Sequence, residues 1–373
     1  MTLFIIGLII LLGGGYFYSK YVESQLEPDD RETPAVKKAD GVDFVVMSKV
    51  KNWLINLLNI AGTGPILGPI QGILFGPIAF IAIPIGCVVA GAVHDFMTGF
   101  ISMRNGGSQV PKLVGKYLGG GVRGFYNIVI AVLLLLTGVV FVYTPGDLIA
   151  KFVLGKDPEG AVIWIIYAVI FAYYILSTVM PIDKVIGKIY PFFGAFLIIS
   201  AIGVLIGVLT KGNANLAFEG QGLLAEHPKG QRFIPAFFIT VACGILSGFH
   251  GSQVTLVSRT VKSEKEAKTT FYSTMIAEGF IAMIWAAGAI VLFSTGESAL
   301  DTPGTIMVGN ISKYFMGNIG GLMAIIGVIA LPITSGDTAF RSLRLIISEE
   351  MNIDQRKAGK RAGLAAVLFI PAA

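Results

Sequence analysis

The chain has 373 residues, 54% of them hydrophobic and 14% charged, with a mean hydropathy of +0.76. Soluble domains carry roughly 25% charged residues, so a soluble globular protein is excluded. The formal net charge of +5 is better explained by loops on the cytoplasmic side of a membrane than by nucleic acid.

Apolar runs near the 20 residues that match a bilayer recur along the chain. The first, about 3–18, lacks the basic flank and the small-x-small site of a signal peptide and is expected to stay as an extra N-terminal transmembrane helix, residues 1–18. Residues 19–48 mix acids and bases and read as a polar, solvated cytoplasmic loop. Further spans are expected at about 49–70, 73–101, 121–144, 160–180, 186–210, 232–257, 269–294 and 316–340. A last one starts at 362, and its dozen apolar residues are too few to cross a bilayer. One alternate set of loops holds 22 of the 28 Lys and Arg, which places that set in the cytoplasm of a plasma (inner) membrane and the N-terminus outside. Cys87 and Cys243 both lie in apolar runs and offer neither a disulfide framework nor a thiolate metal cluster.

Two spans are interrupted. The first reads NLLNIAGTGPILGPIQG from Asn56 to Gly72, and the second ACGILSGFHGSQVT from Ala242 to Thr255. Gly and Pro at these places open the helix, and lipid tolerates open backbone only where it lines an enclosed cavity. The interruptions lie five spans apart in opposite orientation, the arrangement of inverted five-helix repeats around a midplane site. The repeats would be 49–210 and 232–373, the second incomplete. Close packing of helices at glycines is the competing reading.

Around the first interruption, Asn52, Asn56 and Asn59 form one stripe, read either as lining an aqueous path or as bonding to a neighbouring helix. The half-helix after Gly64-Pro65 would present free N–H groups suited to a carboxylate, while the carbonyls of Ala61, Gly62 and Gly248 would suit a cation or an ammonium. A small zwitterion or anion is therefore the natural cargo. Asp95 lies about 13 Å from Arg104 along a helix, and with His94 it could relay a proton or simply satisfy backbone N–H groups. His250 sits at the second interruption, among Ser247, Ser252, Gln253 and Thr255, as a substrate or proton group or as a structural tie. Glu278 is a further acid inside an apolar run, with no partner evident in the sequence. Thr334, Ser335, Asp337 and Thr338 could hold a sodium ion with the carbonyl of Ala61, although Asp337 could equally pair with Arg341 four residues on. No phosphate-binding loop, HExxH or GxSxG motif occurs, and His94, His227 and His250 are scattered, so neither an enzyme nor a bound cofactor is expected.

Three stretches, NIAGTGPILGPIQG, GCVVAGAVHDFMTGFISMRNGGSQVPKLVGKYLG and ITVACGILSGFHGSQVTLVSRTVKSEKEA, resemble the carbon starvation protein A family over about Val50 to Glu349. The resemblance implies a membrane transporter for peptides, or for pyruvate in some members, induced when carbon is scarce. It also implies a central site made by Gly62 to Gln71, His94-Asp95 and Gly248 to Gln253. Some larger members carry histidines shortly before the first interruption, where this chain has Ile55 and Asn56. The expectation is an all-α polytopic membrane protein with leucine-transporter-like inverted repeats. It would be a secondary carrier coupled to protons or sodium by alternating access. Substrate contacts would be Asn59, Gly62, Thr63, Gly64, Gln71, Gly248, His250, Ser252 and Gln253. Its partners are the lipid bilayer and a small peptide or carboxylate. A passive channel and a membrane sensor are the other classes considered, and oligomeric state is left open.

Overall fold

Long apolar stretches fold as helices here because a membrane supplies no water to satisfy peptide groups. In a computed structural model describing residues 1–179, 182–211, 216, 222–355 and 357–369, no strand is formed among the described residues. The N-terminal helix α1 spans Thr2–Leu26 and continues past residue 18, because the glycines near Gly14 form a π-turn over Ile10–Gly14 instead of a break. The first interrupted helix is α2, Lys49–Ile60, followed by α3, Gly64–Phe75, at a bend of 49°. Next come α4, Ala79–Arg104, the short amphipathic α5, Val110–Leu118, and α6, Gly120–Val153. α7 covers Gly160–Val179 and α8 covers Ile182–Lys211.

The second interrupted helix is α9, Phe233–Ala242, with α10, His250–Val257, after a non-helical connection. α11 spans Glu264–Ser294 and α12 spans Gly304–Glu350. A φ of 69° at Gly317 divides α12 into a shorter helix, 304–316, and a long one, 318–350, so the span expected at 316–340 continues a further ten residues. α13 covers Ala358–Phe369. The ends of the expected fifth and last spans, at 180 and 370–373, lie outside the described residues.

Seven of these helices are long and apolar enough to cross a membrane, or eight if α2 and α3 count as one bent span. α11 is the central post, with 83% of its most apolar window buried against 28% for α1. α1 sits at the edge, where the Phe4 ring meets Phe80 of α4 at 5.4 Å.

The polar stretch 19–48 is largely exposed, as its composition suggests, but it is anchored to the bundle at several buried points. Its first part is helical, Thr33 donates to the Val261 carbonyl at 2.7 Å, and Thr33 and Asp43 are both buried. These partners lie more than two hundred positions away, where local composition carries no trace of them.

The two interrupted helices pack on each other through a glycine stripe. A Cβ at Gly64 would lie 2.9 Å from the Cys243 carbonyl and from Ser247 Oγ, and one at Gly72 would lie 2.9 Å from Val241 Cγ1. Only glycine allows α3 and the end of α9 to approach so closely. The competing packing reading and the interrupted-helix reading therefore both hold for this segment.

Candidate functional site

α2 starts at Ser48, whose hydroxyl accepts the Lys51 N–H, and ends at Ala61, whose ψ of 60° leaves the helical region. Pro65 at the start of α3 has no N–H to lose there. Gly62, between them, lies beneath the Phe141 ring of α6 and next to Ser335 of α12, where a Cβ would meet Phe141 Cζ at 2.7 Å and Ser335 Oγ at 3.3 Å. The other interruption is crowded in the same way, since a Cβ at Gly248 would lie 2.8 Å from Leu133 of α6. Beside the two lies a groove of about 700 Å³, walled by Thr63, Gly64, Phe141, Ser247, Gly248 and Phe249 and by apolar residues of α6, of which Ile128, Val132 and Leu136 are themselves exposed, so that the groove opens outward. Its wall is largely hydrocarbon with a few hydroxyls, which suits a small organic molecule.

Behind Phe249 the helices bring together four titratable side chains. His94 Nδ1 lies 2.8 Å from Asp95 Oδ1, Asp95 Oδ2 lies 3.5 Å from His250 Nδ1, and His250 Nε2 lies 3.7 Å from Glu278 Oε1. Asp95, His250 and Glu278 are completely buried, whereas the His94 side chain is 39% exposed. Neither ring nitrogen of His250 and neither oxygen of Glu278 has a hydrogen-bond partner. A buried charge without hydrogen bonds is expensive, so this row from α4 through α10 to α11 is poorly suited to a static structural role. It can hold and pass a proton, with His94 at its accessible end.

A π-turn at Cys87–Gly91, just before His94, positions the row. Such bulges free backbone carbonyls and favour functional sites. Here the Val88 carbonyl accepts from Tyr272 at 2.9 Å, and Cys87 Sγ donates to the Gly244 carbonyl at 3.3 Å, tying α4 to the second interruption.

The hydroxyls of α12 point in different directions. Ser335 donates to the Leu58 carbonyl of α2 at 3.0 Å, beside buried Ala61. Thr334 and Thr338 donate to their own helix, to Leu331 and Ser335. Asp337 faces α7 and accepts from Ser177 at 2.6 Å, while Arg341 donates to the Ser177 carbonyl at 2.8 Å. Ser335 and Ala61 are thus brought together, and Asp337 is on another side of the helix.

Asn52 and Asn56 bond across to Thr260 and to Thr270 with Thr274, so for those two the interhelical reading holds and the aqueous path does not. Asn59 is buried with both amide atoms unpartnered. Ser252 donates to the Phe249 carbonyl at 2.6 Å, and Gln253 donates to Ser252 while its Oε1 stays unpartnered. Gln71 is remote from the row, with its amide 3.5 Å from where a Gly304 Cβ would stand. Sequence reasoning noticed Glu278 without finding its partner, included Phe249 only as part of the stretch Gly248 to Gln253, and missed Phe141 and Ser177 altogether. Only the acid in an apolar run was a usable signal.

Paired interrupted helices packed on each other within a bundle of membrane-length helices define a polytopic membrane protein of the leucine-transporter fold. The solved structure of MhsT in complex with L-phenylalanine matches it with a TM-score of 0.63 at 17% identity, covering 88% of this chain and 79% of that one, so the fold is shared. The chain belongs to the family described as Carbon starvation protein CstA, matched over residues 1–167 and 128–326. It is 39% identical over 348 residues to a Haemophilus influenzae protein described as an uncharacterized membrane protein, covering 81% of this chain and 94% of that one. It is 28% identical to the Campylobacter jejuni peptide transporter CstA over 74% of this chain and 48% of the relative. With the Escherichia coli pyruvate/proton symporter BtsT the identity is 26%, over 77% and 48%. The chain spans about half the length of these two named transporters.

Proposed function

We propose that this protein is a secondary carrier that imports small carboxylates or short peptides across the plasma membrane, with its N-terminus outside, by alternating access and proton coupling. One observation carries the reading: Asp95, His250 and Glu278 are wholly buried, neither His250 nor Glu278 has a hydrogen bond that would fix it, and the three stand directly behind Phe249 in the wall of the groove. Substrate contacts are assigned to Asn59, Gly62, Thr63, Gly64, Gly248, Ser252 and Gln253, and the proton row to His94, Asp95, His250 and Glu278. The relatives named as a peptide transporter and a pyruvate/proton symporter support both the cargo class and the ion. A service in carbon scarcity agrees with the family's description. Sodium coupling at Ala61, Thr334, Ser335 and Thr338 is the second reading, favoured by the contact of Ser335 with the carbonyl end of α2.

The test is uptake of labelled pyruvate and of labelled dipeptides into proteoliposomes under a proton or a sodium gradient imposed separately. Uptake driven by protons and abolished by His250→Ala and Asp95→Asn supports the reading. Sodium-driven uptake that survives both changes moves the coupling site to Ser335. Flux without counterflow makes the protein a channel, and no uptake under either gradient makes it a sensor of the same ligands.

A further inference from the structure

The corner between α5 and α6 holds a second concave site, of a chemistry unlike that of the groove. A cavity of about 470 Å³ is lined there by Lys38, Lys112, Lys116 and Arg123, with Asn105 and Ser108 between them, and no acid lines it. Lys38 donates to the Gly106 carbonyl at 2.8 Å, and Lys116 donates to Asn105 Oδ1, so both have neutral acceptors. Arg123 has a counter-charge, Glu350, whose Oε1 accepts from Nε at 3.0 Å. The Lys112 ammonium has no hydrogen-bond or ion-pair partner among the described residues. Four cations thus share one carboxylate. The pKa of Lys38 is lowered, first by partial burial and then by Lys112 and Arg259, against a smaller opposing pull from Glu349. That is the behaviour of a cation in an uncompensated positive field.

The rim of the cavity says which anion fits. α5 buries Pro111 and Leu113 and leaves Tyr117 and Leu118 exposed beside its two lysines. On α6, Val122 and Phe125 are exposed as well, and the exposed face continues apolar at Ile128 and Val132. A basic pocket with an apolar rim, at the end of a membrane-length helix, matches a lipid headgroup with the start of its acyl chains. A soluble anion would leave Tyr117, Leu118 and Phe125 with nothing to contact. The first turn of α6 adds donors of its own. Its N-cap, Gly119, supplies no side-chain cap, and a Cβ at Gly119, Gly120, Gly121 or Gly124 would meet nothing within 4 Å. The N–H groups of that turn therefore lie open to a phosphate.

We propose that the cavity at the α5–α6 corner binds the headgroup of an anionic phospholipid, with Lys38, Lys112, Lys116 and Arg123 around the phosphate and the acyl chains along Leu118 and Phe125. The site stands apart from the carrier reading, because it needs only that the chain sits in a bilayer.

The test uses the full chain in detergent micelles and native mass spectrometry. Dioleoyl phosphatidylglycerol and dioleoyl phosphatidylcholine are supplied at equal concentration, so that only the headgroup differs. The parent is expected to retain phosphatidylglycerol in preference to phosphatidylcholine. Lys112→Gln and Lys116→Gln should each weaken that retention about fivefold, and together about 25-fold, the ratios that about 1 kcal/mol per basic residue at an anionic lipid surface corresponds to. Leu118→Ser with Phe125→Ser should weaken it too, through the apolar rim alone. Lys151→Gln with Lys156→Gln, at the opposite end of α6, should leave retention as in the parent.

Equal retention of the two lipids overturns the site. So does a double lysine variant that holds phosphatidylglycerol as the parent does, or an equal loss in Lys151→Gln with Lys156→Gln, which is what undirected charge attraction gives. Inorganic phosphate that displaces the lipid at equal concentration reveals an anion site that needs no lipid, and overturns the assignment as well. Should the double lysine variant fail to fold, Lys112→Gln alone decides by the same criteria, since that side chain is exposed and unpaired.

Discussion

Gly68→Ala should destabilise the protein at the contact between the two interrupted helices. An ideal Cβ at Gly68 would stand 2.5 Å from the Thr240 carbonyl oxygen and 2.6 Å from Cys243 Cβ. Non-bonded carbons prefer roughly 3.5–4.0 Å, so α3 and α9 must part by about 1 Å, and both partners include main-chain or β-carbon atoms that cannot swing aside. Overpacking of this kind costs about 1–3 kcal/mol, against which alanine's better helix propensity returns up to about 1 kcal/mol. At Gly124, in α6, nothing lies within 4 Å of the added Cβ. Only propensity acts there, so Gly124→Ala should stabilise by about 0.5–1 kcal/mol. Because the propensity gain is common to both, the two identical substitutions should be separated by roughly 1–3 kcal/mol. Equilibrium unfolding in mixed micelles, followed by intrinsic fluorescence, measures both. A Gly68→Ala protein as stable as Gly124→Ala would refute the argument that the glycine stripe sets the distance between the two interrupted helices.

Glu278→Gln keeps the shape of the side chain and removes a proton acceptor that faces His250 at 3.7 Å. It should abolish uptake driven by a pH gradient while leaving exchange of labelled for unlabelled substrate, and retained gradient-driven uptake would exclude Glu278 from the row. Burial alone would push the Asp43 carboxyl up, but Arg344, Arg341, Arg259 and Arg361 outweigh it and hold the carboxyl below the usual carboxylate range. Because its folded value is depressed, Asp43 contributes stability above its ordinary titration range, and that contribution is lost as pH falls through the folded value. Acid unfolding below about pH 4 should therefore weaken the parent more than Asp43→Asn, and parallel curves would contradict this. His227 stacks on Phe75 at a centroid distance of 4.7 Å and accepts the Lys229 N–H at 3.2 Å, and burial, aided by Lys229, lowers its pKa. Its neutral form is the one the fold favours, so this contribution is present above about pH 6.5 and fades as pH falls. His227→Gln should flatten the parent's stability between about pH 7 and pH 5, as read by thermal unfolding at each pH.

Much of the architecture was legible because a membrane makes composition unusually informative. Apolar runs of bilayer length had to be helices, and Gly-Pro interruptions within them had to face the interior, as Gly62 does, whereas Gly248 is exposed in the groove. Helix limits were less legible where polar residues continue a helix, as from Ser19 to Leu26, or where a single glycine divides one, as at Gly317. The site was legible only residue by residue. His94, Asp95, His250 and Glu278 could each be singled out as ionisable groups in apolar surroundings. That they form a single row depends on how α4, α10 and α11 pack, which no local spacing reveals. The asparagine stripe shows the opposite error. Its helical spacing was real, yet Thr260, Thr270 and Thr274 take up Asn52 and Asn56, and those partners lie more than two hundred residues away.

On the proposed carrier reading, the placement of Phe249 and His250 gives a way for the groove and the row of titratable groups to act as one device. The two are consecutive at the start of α10, with ring centroids 5.5 Å apart and ring planes at 84°. Phe249 lines the groove and meets Phe141 of α6 at 5.5 Å, whereas the next residue turns its imidazole toward Asp95 and Glu278. A helix of eight residues beginning at a non-helical connection has no room to move one of these rings without the other. A ligand that shifts Phe249 therefore changes the distances from His250 to both carboxylates. By the same coupling, a proton that alters the charge between His250 and its two acids alters the position of the groove wall. Gly244 and Gly248 in this connection pack closely on Pro69 and Leu133, and Cys87 Sγ, bonded to the Gly244 carbonyl, keeps it registered on α4. The proposed coupling between cargo and ion then needs no long pathway through the protein, because the two proposed sites share one stretch of backbone.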